Sequence, residues 1–189
     1  MKSTYLVLLV LLVTGLVAGC ITSSISSLLP SVSASSLALQ PSDLPGRYTV
    51  GPHTDLTQIR DSWVKSEYLG GYYTEFIPMD GGRNITGISQ TIVHFQAKNV
   101  SALYDATKED LQILAGRTTG RNISHLQNPA IGDRSEAYRI TDSSGNWDPV
   151  DYVIIFSKHD VIEQIEIYGS NPDYLVMKNI AEKASKEIP

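Results

Sequence analysis

Four histidines are the side chains of this sequence best suited to metal binding or acid–base chemistry: His53, His94, His125 and His159. They lie far apart, and none has the spacing to another histidine or to a paired carboxylate that zinc sites use. The sequence also contains no Gly-x-Ser-x-Gly elbow, no Walker loop and no dinucleotide fingerprint. We therefore expect no metal site and no cofactor. A hydrolase whose catalytic residues are scattered along the chain stays open as one alternative.

Cys20 is the single cysteine, and its position gives its thiol a specific chemistry. Lys2 and the apolar residues 5–17 are typical of a signal peptide, and they are too few for a membrane span, which needs roughly 20 apolar residues. Residues 17–20 read Val-Ala-Gly-Cys, which resembles a lipobox. Because a lone thiol cannot form an intrachain disulfide, we interpret Cys20 as a lipid attachment point. The alternative is an uncleaved signal anchor with an incidental cysteine.

Aromatic side chains are the residues best suited to contact a ligand. The chain has 10 tyrosines, and several rings cluster around the Gly-Gly pair at residues 70–71. Rings offer a large contact area and a tyrosine hydroxyl can orient a ligand, so Tyr72 and Tyr73 are candidate ligand contacts. Trp147 is a third candidate, because turn-forming residues surround it. The alternative is that the rings near residue 70 belong to the core and the sheet surface.

Three asparagines begin an Asn-x-Ser/Thr sequence: Asn84, Asn99 and Asn122. Asn84 and Asn122 lie in predicted loops and are the better glycan acceptors, whereas Asn99 is also well placed to cap a helix. Glycosylation at these sites would fit an archaeal source.

The charge of the chain argues against nucleic-acid partners. The sequence has 15 Lys and Arg residues against 20 Asp and Glu, and loss of residues 1–19 removes Lys2, leaving 14 against 20 and a formal net charge of −6. Nucleic-acid binding needs a clustered positive surface, which this sequence lacks. The expected partners are the membrane, through lipid at Cys20, and an unidentified small molecule or protein that is not a polyanion.

Three segments position these residues along the chain. Residues 1–19 are the predicted signal peptide, residues 20–38 a Ser-rich flexible tether, and residues 39–189 a single extracytoplasmic domain. Leucines within the tether leave open that part of it is a short helix lying on the membrane or on the domain.

Hydrophobic periodicity predicts an α+β domain. Alternation over residues 72–77, 88–97, 131–140 and the hairpin 152–168 predicts strands, and spacings of three and four predict helices over residues 100–115 and from residue 172 to the C-terminus. Residues 54–65 predict a further short helix. We expect an antiparallel sheet of about five or six strands packed with two or three helices.

This layout resembles a group of exported lipoproteins and kinase-sensor ectodomains of the PsbP/Mog1 kind. The matching pieces are residues 41–45, the Ile-Gly-Asp sequence at 131–133, the hairpin at 154–167 and the closing helix. The resemblance implies extracytoplasmic binding or assembly work. The leading hypothesis is therefore a lipid-anchored binding or sensing module without catalysis on the outer face of a prokaryotic cell membrane. A structural partner of a membrane complex is the alternative, followed by a hydrolase.

Overall fold

The computed structural model describes residues 32–57, 68–79, 86–96, 98, 100–117, 120–142, 150–169 and 172–189. Residues from Ser33 to Pro189 form one compact unit. Its strands are β1 (Tyr48–Leu56), β2 (Tyr68–Pro78), β3 (Thr86–Phe95), β4 (Arg121–His125), β5 (Arg134–Asp142), β6 (Val150–Lys158) and β7 (Val161–Gly169), and its α-helices are α1 (Val100–Arg117) and α2 (Tyr174–Glu187). Two 3-10 turns, Ala34–Leu37 and Pro41–Asp43, come before β1.

The seven strands form one antiparallel sheet in the order β1-β2-β3-β7-β6-β5-β4. The predicted α+β class and antiparallel sheet are therefore confirmed, but the strand count is higher than the predicted five or six. The additional strands, β1 and β4, are the two edges of the sheet. Most of their side chains are exposed, so neither shows the alternation that predicts a half-buried strand. Thr54 to Leu56, which were predicted to begin a helix, are the end of β1.

Helix α2 covers one face of the sheet, named here the α2 face. Met177, Ile180, Ala181 and Ala184 are buried on the helix, as the predicted stripe requires. They join a core that includes Phe76, Ile88, Ile154, Phe156 and Ile165 from the central strands. The helix begins at an N-cap residue, Asp173, whose side chain accepts hydrogen bonds from the amides of Leu175 and Val176. Lys158 binds its last turn by donating to the carbonyls of Ser185 and Ile188.

Helix α1 covers part of the opposite face, named the α1 face. Val100, Leu103 and Tyr104 are buried against Val153 and Ile155 of β6. The Tyr104 hydroxyl donates to the Ile155 carbonyl at 3.2 Å, which ties the helix to the centre of the sheet. Each face of the central strands is thus covered by a helix, as the apolar sequence of β6 predicts.

The compact unit begins earlier than the predicted domain boundary at residue 39. Residues 33–44, named here the strap, lie across the α2 face with Ala34, Leu37, Leu39 and Leu44 buried. Residues 33–38, which the sequence places in the tether, are therefore part of the folded unit. Their serines are exposed and only the apolar residues between them enter the core. A Ser-rich composition therefore does not reveal that the segment is packed.

Within the part of the chain that the structure describes, no helix has the length and apolar character needed to cross a membrane. Nor do its described histidine, cysteine and acidic side chains form a group of three able to hold a metal ion.

Candidate functional site

A polar cleft of about 320 Å³ opens between α1, the end of β4 and the beginning of β5. The first half of α1 forms one wall and the segment 125–136 forms the other. The lining residues are Tyr104, His125, Asn128, Asp133, Arg134, Ser135 and Glu136.

Glu136 lies at the centre of this cleft and binds three neighbours. Its Oε1 is 3.0 Å from Lys108 Nζ, its Oε2 is 3.4 Å from His125 Nε2, and the Tyr138 hydroxyl donates to Oε2. Burial alone would raise the pKa of Glu136, but the hydrogen bonds from Tyr138 and Lys108 outweigh it and lower the pKa below its ordinary value. The carboxylate is therefore charged at neutral pH, accepts hydrogen bonds from Lys108 and Tyr138, and lies beside the His125 ring.

Arg134 forms the outer rim of the cleft. Its guanidinium contacts Asp105 through two hydrogen bonds of 2.6 and 3.4 Å, and it also donates to the hydroxyl and carbonyl oxygens of Ser101. Its central carbon lies 4.4 Å from the centre of the Tyr104 ring. The hydrogen bond to Arg134 lowers the pKa of Asp105, so both groups keep their charge. Stacking and pairing together fix the orientation of a guanidinium that still reaches solvent.

The loop between β4 and β5 is held by its own hydrogen bonds. Asn128 Oδ1 accepts from the amide of Ala130 and from the hydroxyl of Ser135, both at 2.8 Å. The Ser135 oxygen in turn accepts from the amide of Ile131 at 3.0 Å. Ala130 takes a left-handed backbone conformation with φ of 56°, which these bonds stabilise. The cleft wall is therefore formed before any ligand arrives.

His125 forms the exposed side of the cleft. His125 is more than half exposed and packs edge-to-face on Tyr138, with the ring centres 5.3 Å apart. A histidine beside a glutamate is the arrangement that a hydrolase would use as a base. However, the Ser135 hydroxyl donates to Asn128 and does not bond to His125.

A second polar surface occupies the part of the α1 face near β2, β3 and β7, named here the tyrosine–carboxylate patch. Its members are Tyr73, Glu75, Ser89, Asp151, Glu166 and Tyr168. The Tyr73 hydroxyl donates to Glu75, and the Ser89 hydroxyl lies 3.4 Å from Glu166. Burial, and then repulsion by Asp151, raises the pKa of Glu166; burial also raises the pKa of Asp151.

The structure separates the two tyrosines that the sequence predicts as ligand contacts. Tyr72 packs toward the core of the α2 face, with its ring 6.4 Å from that of His53, whereas Tyr73 points to the α1 face and joins the patch. Adjacent residues of a strand project to opposite faces, so the two rings cannot form one surface. Of the predicted glycan acceptors, Asn122 is exposed on the edge strand β4. Cys20, Trp147, Asn84 and Asn99 lie outside the described residues.

Sequence reasoning missed the residues of the polar cleft, because Lys108, His125 and Glu136 are distant in the chain. One signal was present: Arg134, Glu136 and Tyr138 alternate along a predicted strand and so share one face. The pairing of β4 with β5, which sets His125 opposite Tyr138, could not be predicted once β4 was missed.

Comparison with known proteins finds a similar fold but assigns the chain to no family. The chain matches no family model, and no curated protein matches it. Among solved structures it is similar to the extracellular domain of PknH from Mycobacterium tuberculosis, with 14% sequence identity and a TM-score of 0.55. The match covers 84% of this chain and 98% of that domain. At this identity the likeness shows a shared fold, and the fold is that of a kinase's extracellular domain.

Proposed function

We propose that the protein is an extracytoplasmic binding or sensing module without catalysis, held at the cell membrane by lipid on Cys20, and that the polar cleft binds its ligand. The observation that carries the proposal is the cleft at Glu136, a carboxylate on which the side chains of Lys108, His125 and Tyr138 converge. Placed polar groups of this kind fix the orientation of a ligand in small-molecule sites. The lipobox-like sequence and the fold of an extracellular domain support the location.

The chemistry of the cleft indicates a small ligand that carries both donors and acceptors. Arg134 supplies a cationic donor at the cleft, Lys108 lies behind it on Glu136, and the carboxylates of Glu136 and Asp133 supply acceptors. A polyanion would meet these carboxylates and, at long range, a mature chain with a net charge of −6, obtained from 14 basic and 20 acidic residues. Amino acids, other zwitterions and sugars fit this set of groups.

The test is a thermal-shift screen in which the ligand-induced rise in melting temperature is compared between two arginine variants. Arg134→Ala removes the guanidinium at the cleft, and Arg139→Ala removes an exposed arginine from the same strand on the opposite face. For Arg134→Ala we expect the apparent affinity, taken from the rise in melting temperature with ligand concentration, to fall at least tenfold. For Arg139→Ala we expect the affinity of the wild type. If Arg134→Ala folds and keeps the full rise, the cleft is not the binding site.

A structural role in a membrane complex is the second candidate, and the edge of the sheet at β1, together with the end of the neighbouring β2, favours it. Val50, Ile77 and Met79 are exposed there, at 43%, 42% and 56%. Edge strands offer backbone groups for pairing, and exposed apolar side chains add contact area. Crosslinking in intact membranes should join the wild-type chain to a partner protein, and Ile77→Lys should abolish that crosslinked product. A chain that crosslinks to nothing at this edge would contradict that role.

A further inference from the structure

Glu163 is a fully buried carboxyl side chain on the α2 face of β7. Ile92 of β3 and Phe156 of β6 are its partners in the strand register, and both are buried and apolar. Its Oε1 accepts one hydrogen bond, from Gln90 Nε2 at 2.5 Å, and its Oε2 has no hydrogen-bond partner among the residues that the structure describes. A carboxylate with one hydrogen bond is costly in such surroundings, because burial without compensating contacts opposes the charged form.

The charged groups of the neighbouring elements are engaged elsewhere. At the hairpin end, His94 of β3 bonds Asp160 at 2.9 Å, and Lys158 of β6 donates to carbonyls of α2. On the strap, Asp43 pairs with Lys183 of α2 at 2.8 Å. The remaining charged residues of α2 lie on its outer, partly or fully exposed side: Lys178, Glu182, Lys186 and Glu187. Burial raises the pKa of Glu163 to about 8, and the bond from Gln90 offsets this only in part.

A chain of hydrogen bonds links Glu163 to the strap. Gln90 donates to the carboxyl group with its Nε2 and accepts from the backbone amide of Leu39 with its Oε1, at 2.9 Å. Gln90 is itself fully buried. The side chain that bonds the buried acid is therefore also the one that holds the strap to the sheet.

The strap is held on this face by few polar contacts. It has no strand pairing, and its attachments are the Leu39 amide, four buried apolar side chains and the pair of Asp43 with Lys183. Helix α2 has 14 residues, and its last turn is fixed by Lys158. A segment attached in this way can open locally while the rest of the domain stays folded.

We propose that the strap is a pH-dependent latch, closed on the sheet while Glu163 carries a proton and released when that carboxyl group ionises. Release lets water reach the carboxylate, which the closed arrangement excludes. The strap is also the segment that leads back toward Cys20, so its release lengthens the connection between the domain and the proposed lipid anchor. The latch does not depend on the polar cleft, which is bounded by α1 on the other face of the sheet.

The sign of the pH dependence follows from linkage. The closed state binds the Glu163 proton more tightly than the open state, in which an exposed glutamate has an ordinary pKa of about 4.5. The closed state is therefore most favoured below pH 4.5. Its advantage falls as pH rises to about 8 and is constant above that. In this window the opening equilibrium constant increases about tenfold per pH unit.

Hydrogen exchange on the full chain, from pH 5 to 9 and corrected for the intrinsic rate, tests the latch. In the wild type we expect the protection of strap amides, Leu39 above all, to fall about tenfold per pH unit up to pH 8 while α2 stays protected. Glu163→Gln should keep the strap protected at every pH. Glu166→Gln, which removes a carboxyl group from the same strand on the opposite face, should behave as the wild type.

Three results would overturn the proposal. One is a wild-type strap whose protection does not change with pH, which decides the question even if a variant fails to fold. Another is loss of protection in the strap and α2 together, because the whole domain would then be opening. The third is an unchanged pH profile in Glu163→Gln or, should that variant not fold, in Glu163→Met.

Discussion

Single residues set the geometry of the turn between β6 and β7. Gly132 has φ of +63°, a left-handed conformation, and a Cβ placed on it would lie 2.3 Å from the Ser157 carbonyl oxygen. That same oxygen accepts from the amide of Asp133 at 2.7 Å. The Asp133 carboxylate accepts from the amide of His159, whose φ is 55°. The Ile-Gly-Asp sequence at 131–133 thus fastens one loop to the tip of a neighbouring hairpin.

Gly132→Ala should therefore lower the free energy of unfolding by about 2–4 kcal/mol. Left-handed backbone costs a non-glycine residue about 1–2 kcal/mol, and the added methyl group also displaces the Ser157 carbonyl from Asp133. Urea unfolding measures the loss. Gly51→Ala is the matched control. Its Cβ would lie 2.8 Å from Cδ1 and 3.0 Å from Cγ1 of Ile77, an exposed side chain that can change rotamer, and 3.5 Å from the Glu75 carbonyl oxygen, which is an ordinary contact, so its effect should stay below about 1 kcal/mol. Equal losses of unfolding free energy in both variants would contradict this role of Gly132.

At the scale of elements, the central parts of the fold were predictable and the edges were not. The hairpin of β6 and β7 and the helix α2 follow from strong periodicity, since their apolar side chains enter the core at fixed spacing. The strands β1 and β4 bury few side chains, and what forms them is backbone pairing to β2 and β5. Such pairing leaves little trace in the sequence. The strap was missed for a related reason, because only four of its residues are buried apolar ones.

Helix α2 should contribute much of the stability of the unit. Ile180 is 2% exposed in the core of the α2 face, whereas Leu175, on the same helix, is 67% exposed. Ile180→Ala removes packed methyl groups and leaves a cavity, so it should cost about 2–4 kcal/mol in the free energy of unfolding. Leu175→Ala should change it by less than about 0.5 kcal/mol. Chemical denaturation of both variants compares them directly. An Ile180→Ala variant as stable as Leu175→Ala would mean that the helix is peripheral.

At the scale of the whole molecule, the two faces of the sheet differ in composition and in the proposals that they support. The α2 face is mainly apolar, with Gln90 and Glu163 among its buried polar residues, and it carries the strap that leads toward the N-terminus. The α1 face carries the polar cleft beside α1 and the tyrosine–carboxylate patch. The proposed ligand site therefore lies on the opposite side of the sheet from the strap.

Anchoring is the property of the whole molecule that the sequence predicts most directly. Residues 17–20 read Val-Ala-Gly-Cys, Cys20 is the only cysteine, and the folded unit begins 13 residues later at Ser33. Cys20→Ser should abolish covalent lipid, because a serine hydroxyl is not the thiol that the modifying enzyme uses, and should leave the chain unprocessed or free of the membrane. Mass spectrometry of the N-terminal peptide and detergent partitioning measure the two effects.

The position of the thiol can be separated from its presence. In the double variant Cys20→Ser, Ser24→Cys, the chain keeps one cysteine but moves it four residues past the lipobox-like sequence. If residues 17–20 direct the modification, this variant should carry no lipid and should partition as Cys20→Ser does, while Ser24→Ala should be lipidated like the wild type. Thermal unfolding of all three should be unchanged, because these positions precede the compact unit. Covalent lipid on Cys20→Ser would refute the anchor, and lipid on the double variant would show that any nearby thiol serves.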